Sequence, residues 1–289
     1  MALREVAVGG DAEEARPTGP LEQLARPPET PLVERQILRV SGTRLAPLDR
    51  PVIAEIALTV LVDGRELVTL MCTPWKLNCL ILGFMYLEGV IDGADDVAAM
   101  RICVPDRVAE VTLARPIELP QRRVLTSGCS GGTSFRDYLE EVQRQRSDSP
   151  RQIAAEQVYR QMRALHQQSN FYHASRGVHT SALSDGEDLL VVAEDVGRHN
   201  TLDKIKGECL LRELPTDDHV LFSSGRISSE MLLKAAAMRV PIVVSRTSPT
   251  AMSLLLAEHL NVMVVGYVRP DSLNVYTHPW RLTGVEAAP

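Results

Sequence analysis

Alternation of apolar and polar residues predicts strands in the first part of the chain. Residues 52–62 and 66–72 are β-rich runs that flank the dipeptide Asp63-Gly64. Asp-Gly between two such runs is a strong hairpin signal, because its backbone accepts the positive φ angles of a tight turn. The pattern then changes and predicts a helix over about 77–88 that ends at Gly89. Two short strands are expected at about 98–104 and 108–113.

The second half of the chain alternates strands with helices. Residues 151–168 predict an amphipathic helix, since Ile153, Val158, Met162 and Leu165 recur at helical spacing. A strand from 178 and a turn at 185–186 follow. Further strands are then predicted at 189–193, 220–222, 242–244 and 262–265, and helices at about 201–211, 229–238 and 251–260. This order implies an α/β (α+β) layered sheet with parallel pairs, which binds ligands beyond the carboxyl ends of its strands.

Composition divides the chain into four predicted parts. Residues 1–33 are rich in proline and poor in large apolar side chains, which predicts a disordered tail. A smaller β-rich N-terminal domain is expected at 34–124, a flexible loop at 125–150 and a C-terminal domain at 151–289.

Charge and hydropathy exclude several classes of protein. The 289 residues are 45% hydrophobic, enough for a real core, and the net charge of -6 argues against a general nucleic-acid binder. No apolar run approaches the roughly 20 residues of a membrane span. The first residues lead into an acidic stretch and not into an apolar signal core, so a cytoplasmic location is expected.

The sequence has an odd number of cysteines, five, at positions 72, 79, 103, 129 and 209, and it has no C-x-x-C motif. This favours a reduced compartment over a disulfide framework, and with no H-x-E either we expect no bound metal. Cys79 and Cys209 lie among apolar residues and are predicted to be core. Cys129 lies instead among Ser, Thr and Gly in residues 125–134, typical of a loop that presents a thiol. The alternative is an ordinary Gly/Ser linker between domains.

Polar loops follow three of the predicted strands, at 194–200, 223–230 and 245–250. The second loop opens a helix with hydroxyls, a glycine and an arginine, which favours a phosphate site. For the first loop, helix capping is a fair competing interpretation, and for the third loop capping is the favoured one. Near the C-terminus, Tyr267 offers a flat face to a base and Arg269 a fork for phosphate or a purine carbonyl.

Taken together, residues 194–200 with Asp203-Lys204, 224–230 and 274–278 closely resemble motifs of the FdhD family, the formate dehydrogenase accessory sulfurtransferases. The resemblance extends over about 52–281. It implies a C-terminal domain related in fold to cytidine deaminase, without its zinc, beside a smaller N-terminal domain. It also implies a sulfurtransferase that accepts persulfide sulfur from a cysteine desulfurase. The sulfur then passes to a bound molybdenum or tungsten bis-molybdopterin guanine dinucleotide cofactor destined for formate dehydrogenase.

The resemblance also implies site residues. The persulfide cysteine corresponds to Cys129. The cofactor-binding segment corresponds to Tyr267, Val268, Arg269, Pro270, Asp271 and Ser272. We hypothesise that the pocket is completed by Asp195, Arg198, His199, Ser224 and Arg226. A homodimer is expected, as for many soluble proteins.

One position departs from many family members, which carry a second cysteine three residues after the first. Here that position is Gly132. A lone Cys129 can only hand its sulfur onward, whereas a pair could resolve a persulfide as a disulfide. Two alternatives therefore stay open: a chaperone that delivers the dinucleotide without moving sulfur, and a plain nucleotide-binding regulator.

Overall fold

The computed structural model describes residues 28–116 and 146–286. Within these ranges the protein is a mixed α/β structure with several sheets and six α-helices. The first elements are two antiparallel hairpins. Strands β1 (Leu32–Ser41) and β2 (Arg44–Ile53) form a long two-stranded arm, while β3 (Ile56–Val62) and β4 (Arg65–Cys72) pair across the Asp63-Gly64 turn.

The second hairpin belongs to a four-stranded sheet in the order β4-β3-β6-β5, where β5 is Val97–Cys103 and β6 is Val108–Leu113. Helix α1 (Leu77–Leu87) packs on this sheet. The strands and the helix predicted for 66–113 are therefore confirmed, because each carries its own local pattern of apolar residues. The predicted run 52–62 is divided, since residues 52–53 end β2 and β3 begins at Ile56.

A six-stranded sheet forms the other half, in the order β13-β12-β11-β10-β8-β9. Its β10–β11 and β11–β12 pairs are parallel and its other pairs are antiparallel. The strands are β8 (His179–Ser184), β9 (Leu189–Asp195), β10 (Val220–Ser223), β11 (Ile242–Ser245), β12 (Met263–Gly266) and β13 (Asn274–Val275). The alternating order of strands and helices and the parallel pairs expected from the sequence are confirmed.

Helices cover both faces of the six-stranded sheet. Helix α2 (Ala155–Gln167) buries Val158, Met162 and Leu165 against one face. Helices α4 (Arg198–Leu211), α5 (Ser229–Ala237) and α6 (Ala251–Leu260) cover the other. A short helix, α3 (Asn170–Ser175), follows α2 and was not predicted. A helix of about one and a half turns is too short to show a repeating pattern of apolar residues.

Helices α1 and α4 join the two halves at a close crossing. A Cβ at Gly83 would lie 1.7 Å from the Asp203 carbonyl oxygen, and a Cβ at Gly207 would lie 1.8 Å from the Cys79 carbonyl oxygen. Glycine at both positions is thus what lets the two backbones touch. Helix α4 is buried on nearly all sides, so it shows little amphipathic pattern.

Three other boundaries differ from the sequence predictions. Residues 153–154 form strand β7 (Ile153–Ala154), which pairs with β14 (Leu282–Thr283), so α2 starts later than the predicted 151. Helix α4 starts at Arg198 and not near 201, because Gly197 already has the extended backbone of a helix N-cap. Strand β1 begins at Leu32, inside the range predicted as a disordered tail; residues 1–27 lie outside the described ranges.

No helix in the two described ranges is both long enough and apolar enough to cross a bilayer.

Candidate functional site

The ends of four strands meet at one edge of the six-stranded sheet, here called the carboxyl edge. Strands β10, β11 and β12 are parallel, and β9 runs in the same direction because it is antiparallel to β8, which is itself antiparallel to β10. Helices α4, α5 and α6 start from the loops that follow β9, β10 and β11. Their N-termini therefore lie at this edge, where backbone N–H groups and the helix dipoles favour negative charge.

The Asp195 carboxylate is buried and holds the first polar loop in place. Its Oδ2 accepts from Lys204 Nζ at 2.6 Å and from the Thr73 N–H at 3.1 Å. Its Oδ1 accepts from the Gly197 N–H and from Asn200 Nδ2, both at 2.8 Å. Asp195 and Lys204 are each 0% exposed, so this side chain links β9, α4 and the N-terminal half and presents no oxygen to solvent.

His199 lies in the first turn of α4 and is partly buried. Both ring nitrogens of His199 are occupied, with Nε2 3.2 Å from Ser228 Oγ and Nδ1 3.3 Å from Glu230 Oε1. Burial, followed by the nearby Arg198 charge, lowers the pKa of His199 to about 3, so the ring is neutral near pH 7. Burial also raises the pKa of Glu230 to about 6. His199 thus ties the start of α4 to the start of α5.

The loop after β10 is folded tightly against β8. The Thr180 N–H donates to Ser224 Oγ at 2.9 Å, and the Ser224 N–H returns a bond to the Thr180 carbonyl at 2.8 Å. A Cβ at Gly225 would lie 3.1 Å from the Arg198 Cβ and 3.3 Å from His179 Nδ1. Arg226 is exposed, and the structure gives it no hydrogen bond or ion pair with a described residue. Its guanidinium is therefore available to an anion at the carboxyl edge.

The segment 267–272 follows β12 at the same edge. Tyr267 is 43% exposed and has a positive φ of 52°, while Val268 is buried in the core. Arg269 Nη1 donates to the carbonyl oxygens of Arg246 and Val268, at 2.8 Å and 3.0 Å. Pro270, Asp271 and Ser272 are exposed. The fold thus brings this segment against the loop that starts α6, with Tyr267 and Arg269 accessible and Val268 inside.

Two residues at this edge were not singled out from the sequence. His179 starts β8 opposite Asp195, and burial followed by the Arg198 charge lowers its pKa. Arg246 lies in the third polar loop, for which capping was the favoured interpretation; it is exposed and its N–H donates to the Ser223 carbonyl at 3.2 Å. His179 could not be found from the sequence because only antiparallel pairing places it here. An arginine directly after a strand was the available signal for Arg246.

Cys129, with the rest of residues 117–145, lies outside the described ranges. The other four cysteines are free thiols. Burial raises the pKa of Cys72 to about 12 and the pKa values of Cys79 and Cys209 to about 11 each. Core positions for Cys79 and Cys209 are confirmed. Cys103 is partly exposed, and its Sγ lies 2.9 Å from Asp106 Oδ2.

Two further features concern ligands. In residues 28–116 and 146–286, no three or more His, Cys, Asp or Glu side chains are grouped as metal ligands would be. A cleft of about 610 Å³ runs along the edge strand β9, lined by Trp75, Lys76, Phe171, Val192 and Glu208 among others. None of the predicted site residues among the described ranges lines this cleft, but Glu194 does, so the cleft reaches the end of β9 at the carboxyl edge.

The fold and the edge together define a class: α/β proteins with helix N-termini and accessible arginines at one sheet edge. Comparison with known proteins identifies the family within this class. The model of the FdhD/NarQ family matches residues 53–283. The sulfur carrier protein FdhD of Bacillus pumilus is 41% identical over 237 residues, covering 80% of this chain and 90% of that protein. The sulfur carrier protein FdhD of Bacillus subtilis is 37% identical over 252 residues, covering 86% and 96%.

Among solved structures, a candidate formate dehydrogenase accessory protein from Desulfotalea psychrophila superposes with a TM-score of 0.72. It is 24% identical and the match covers 87% of this chain and 99% of that one, which shows a shared fold. The chain belongs to the FdhD/NarQ family.

Proposed function

We propose that this protein is a sulfur carrier that serves formate dehydrogenase. It accepts sulfur as a persulfide from a cysteine desulfurase and transfers it to the molybdenum or tungsten bis-molybdopterin guanine dinucleotide. The observation that carries this proposal is the family match across residues 53–283, with relatives named sulfur carrier proteins. The formate dehydrogenase catalytic subunit is the proposed recipient of the loaded cofactor.

Cys129 is the proposed persulfide carrier. Its thiolate attacks the outer sulfur of the donor's cysteine persulfide, the donor S–S bond breaks, and the donor leaves as a thiolate. Three of the other four thiols are poor candidates for this step, because the thiolate is the nucleophile and burial disfavours it at Cys72, Cys79 and Cys209. In the second half-reaction, the outer sulfur moves to the metal ion of the substrate and Cys129 is regenerated. The sulfur arrives as a neutral atom, so the metal centre supplies the electron pair that makes it a sulfide ligand.

The carboxyl edge is the proposed site of the guanine dinucleotide. Arg226 and Arg269 would contact phosphate or the guanine carbonyl, and Tyr267 would offer a ring face. Asp195, His199 and Ser224 have a different proposed part, because their polar side-chain atoms are engaged within the protein. Asp195, His199 and Ser224 position the loops, and Arg198 packs against Gly225 between them.

Three wider features belong to the same proposal. Residues 151–289 form a cytidine deaminase-like domain, the protein acts in the cytoplasm, and it is a homodimer.

The arm formed by β1 and β2 supports the homodimer. Leu38, Val40 and Leu45 share one face of it, and they are 66%, 65% and 63% exposed. Apolar side chains exposed together mark contact surfaces, and a lone two-stranded hairpin is marginally stable by itself.

Intact-mass spectrometry after incubation with a cysteine desulfurase and cysteine tests the function. We expect the natural protein to gain the mass of one sulfur atom and Cys129→Ser to gain none. Cys103→Ser is the matched control, because Cys103 is the cysteine of the described ranges that is not buried, and this variant should be loaded like the natural protein.

The chaperone alternative, which Gly132 keeps open, makes the opposite prediction. In that case no protein gains sulfur, yet Cys129→Ser still supports formate dehydrogenase maturation. Loading that persists in Cys129→Ser and vanishes in Cys103→Ser would assign the persulfide to Cys103.

A further inference from the structure

Three nitrogen-bearing side chains meet around Gly225, beside the start of α4. A Cβ built on Gly225 would lie 3.1 Å from the Arg198 Cβ, 3.5 Å from the Arg198 Cδ and 3.3 Å from His179 Nδ1. The His179 ring and the Arg198 side chain therefore both lie against this glycine, and a side chain at position 225 would fill the space between them. The next residue, Arg226, is exposed. We call His179, Arg198 and Arg226 the basic cluster.

The side-chain donors of the basic cluster have no acceptor within residues 28–116 and 146–286. Arg198 Nε is buried without a hydrogen-bond partner, and neither arginine of the cluster forms an ion pair with a described residue. The ring nitrogens of His179 likewise make no hydrogen bond to the part of the chain that the structure describes. A buried donor without an acceptor destabilises a protein, so such a group calls for a specific explanation, of which a bound ion is one. Three donors that need an acceptor lie at one place, which is the arrangement that binds an anion.

The charges around the basic cluster also favour an anion. The neighbouring carboxylates are engaged elsewhere, since Asp195 lies 2.6 Å from Lys204 Nζ and Glu230 lies 3.3 Å from the ring of His199. The two arginines of the cluster therefore keep their positive charges without a paired carboxylate among the described residues. Burial, followed by the charge of the adjacent arginine, lowers the pKa of His179, so its ring is neutral near pH 7. A neutral imidazole donates one N–H and adds no charge of its own.

A continuous row of loops connects the basic cluster with the segment 267–272. Ser245 Oγ donates to the Gly225 carbonyl at 2.6 Å, and the Tyr267 N–H donates to the Thr247 carbonyl at 3.1 Å. Strands β10 and β12 are two positions apart in the sheet, so their ends are separated by about 10 Å. An extended nucleoside diphosphate spans a comparable distance from its base to its outer phosphate. One such molecule can therefore reach both the basic cluster and the ring of Tyr267.

We propose that the basic cluster binds the diphosphate of the guanine dinucleotide, which lies across the loops after β10 and β11 with its guanine at Tyr267. The inference rests on the proposed function and adds His179 to the residues that contact the cofactor. The two arginines would pair with the phosphate oxygens, and His179 would donate one hydrogen bond to them. Arg269, on the far side of the loop 245–250, would then serve the guanine carbonyl.

Calorimetric titration of the full chain with inorganic pyrophosphate, and separately with GDP, tests the basic cluster. We expect His179→Ala and Arg198→Gln each to weaken the binding of both ligands by about 10- to 100-fold, as for the loss of a hydrogen bond with a charged group. Arg226→Gln changes an exposed position, so it gives the same test if one of the other variants fails to fold. Tyr267→Ala should weaken the binding of GDP alone, by about 5- to 100-fold, because only GDP has a base to stack.

His259→Ala and Arg239→Gln are the matched controls. His259 is exposed in the last turn of α6, and Arg239 is exposed directly after the end of α5. Both residues therefore lie at the far ends of helices that start at the carboxyl edge. Their affinities for pyrophosphate and GDP should stay within about two-fold of those of the natural protein.

The outcomes separate this inference from the proposed function. If the three cluster variants bind pyrophosphate as tightly as the natural protein does, the basic cluster is not the diphosphate site, and loading of Cys129 with sulfur would still support the proposed function. If inorganic phosphate binds as tightly as pyrophosphate, the cluster is a general anion site and the diphosphate assignment is wrong. If the cluster variants lose pyrophosphate and GDP as expected but Cys129 takes up no sulfur, the diphosphate site stands and the proposed sulfur transfer is wrong.

Discussion

The buried pair of Asp195 and Lys204 provides the sharpest test of how the two halves are joined. Both side chains are 0% exposed and their charged atoms are 2.6 Å apart. Lys204 Nζ also donates to the carbonyl oxygens of Thr73 and Glu194, each at 3.2 Å, while Asp195 accepts from the Thr73 N–H. Replacing Asp195 by Asn removes the negative charge and leaves the lysine charge buried beside an amide.

The cost of this change is large for one substitution. Breaking a buried ion pair by removing one partner destabilises a protein by about 3–5 kcal/mol, because the remaining charge stays uncompensated. Folded proteins are stable by only about 5–15 kcal/mol, so Asp195→Asn removes a substantial part of the total. At about 2–4 °C per kcal/mol, the melting temperature should fall by roughly 10 °C.

Urea unfolding followed by circular dichroism measures this loss. Asp188→Asn is the control, because Asp188 is exposed, and its stability should stay within about 0.5 kcal/mol of the natural protein. The double variant Asp195→Asn with Lys204→Met removes both charges and should recover part of the loss. GDP affinity of the folded Asp195→Asn protein should be unchanged, since this carboxylate faces inward. A loss below about 1 kcal/mol, or a selective loss of GDP binding, would refute the positioning role.

The remaining predictions concern acid stability, helix packing and association. Because the pKa of His199 is about 3 in the folded chain against an ordinary 6.5, the unfolded chain binds this proton first and stability falls as the pH drops from 6.5. In urea unfolding, His199→Gln should lose about 1 kcal/mol less than the natural protein between pH 7 and 5.5; equal losses contradict this. Gly207→Ala forces a Cβ to within 1.8 Å of a carbonyl oxygen of α1, so its melting temperature should be far lower than that of Gly93→Ala, where nothing lies within 4 Å. Similar melting temperatures would mean that α1 and α4 can move apart at little cost. In analytical ultracentrifugation, Leu45→Lys should convert a dimer to a monomer, while Leu255→Lys, equally exposed at 63%, should not. If both variants remain dimeric, the β1–β2 arm is not the dimer interface.

Local patterns were enough to predict most of the regular structure. The Asp63-Gly64 hairpin, α1 and the alternating strands and helices after residue 178 each have their signal within a few consecutive residues. The same holds for the polar loops, because a layered sheet must place the ends of parallel strands together. Elements whose stability comes from a distant partner were missed: β7 exists only because it pairs with β14, and α3 is held by Glu194.

Family membership and the chemical character of the carboxyl edge were thus determined by the sequence itself, through its motifs and its strand order. Only the tertiary structure decided which polar side chains face outward. Asp195 and Arg226 look equally suited to a ligand along the chain, yet Asp195 is fully buried with Lys204 and Arg226 is exposed. The reason is physical: a charge can be buried only where a partner meets it, and that partner comes from α4, whose position depends on its close crossing with α1.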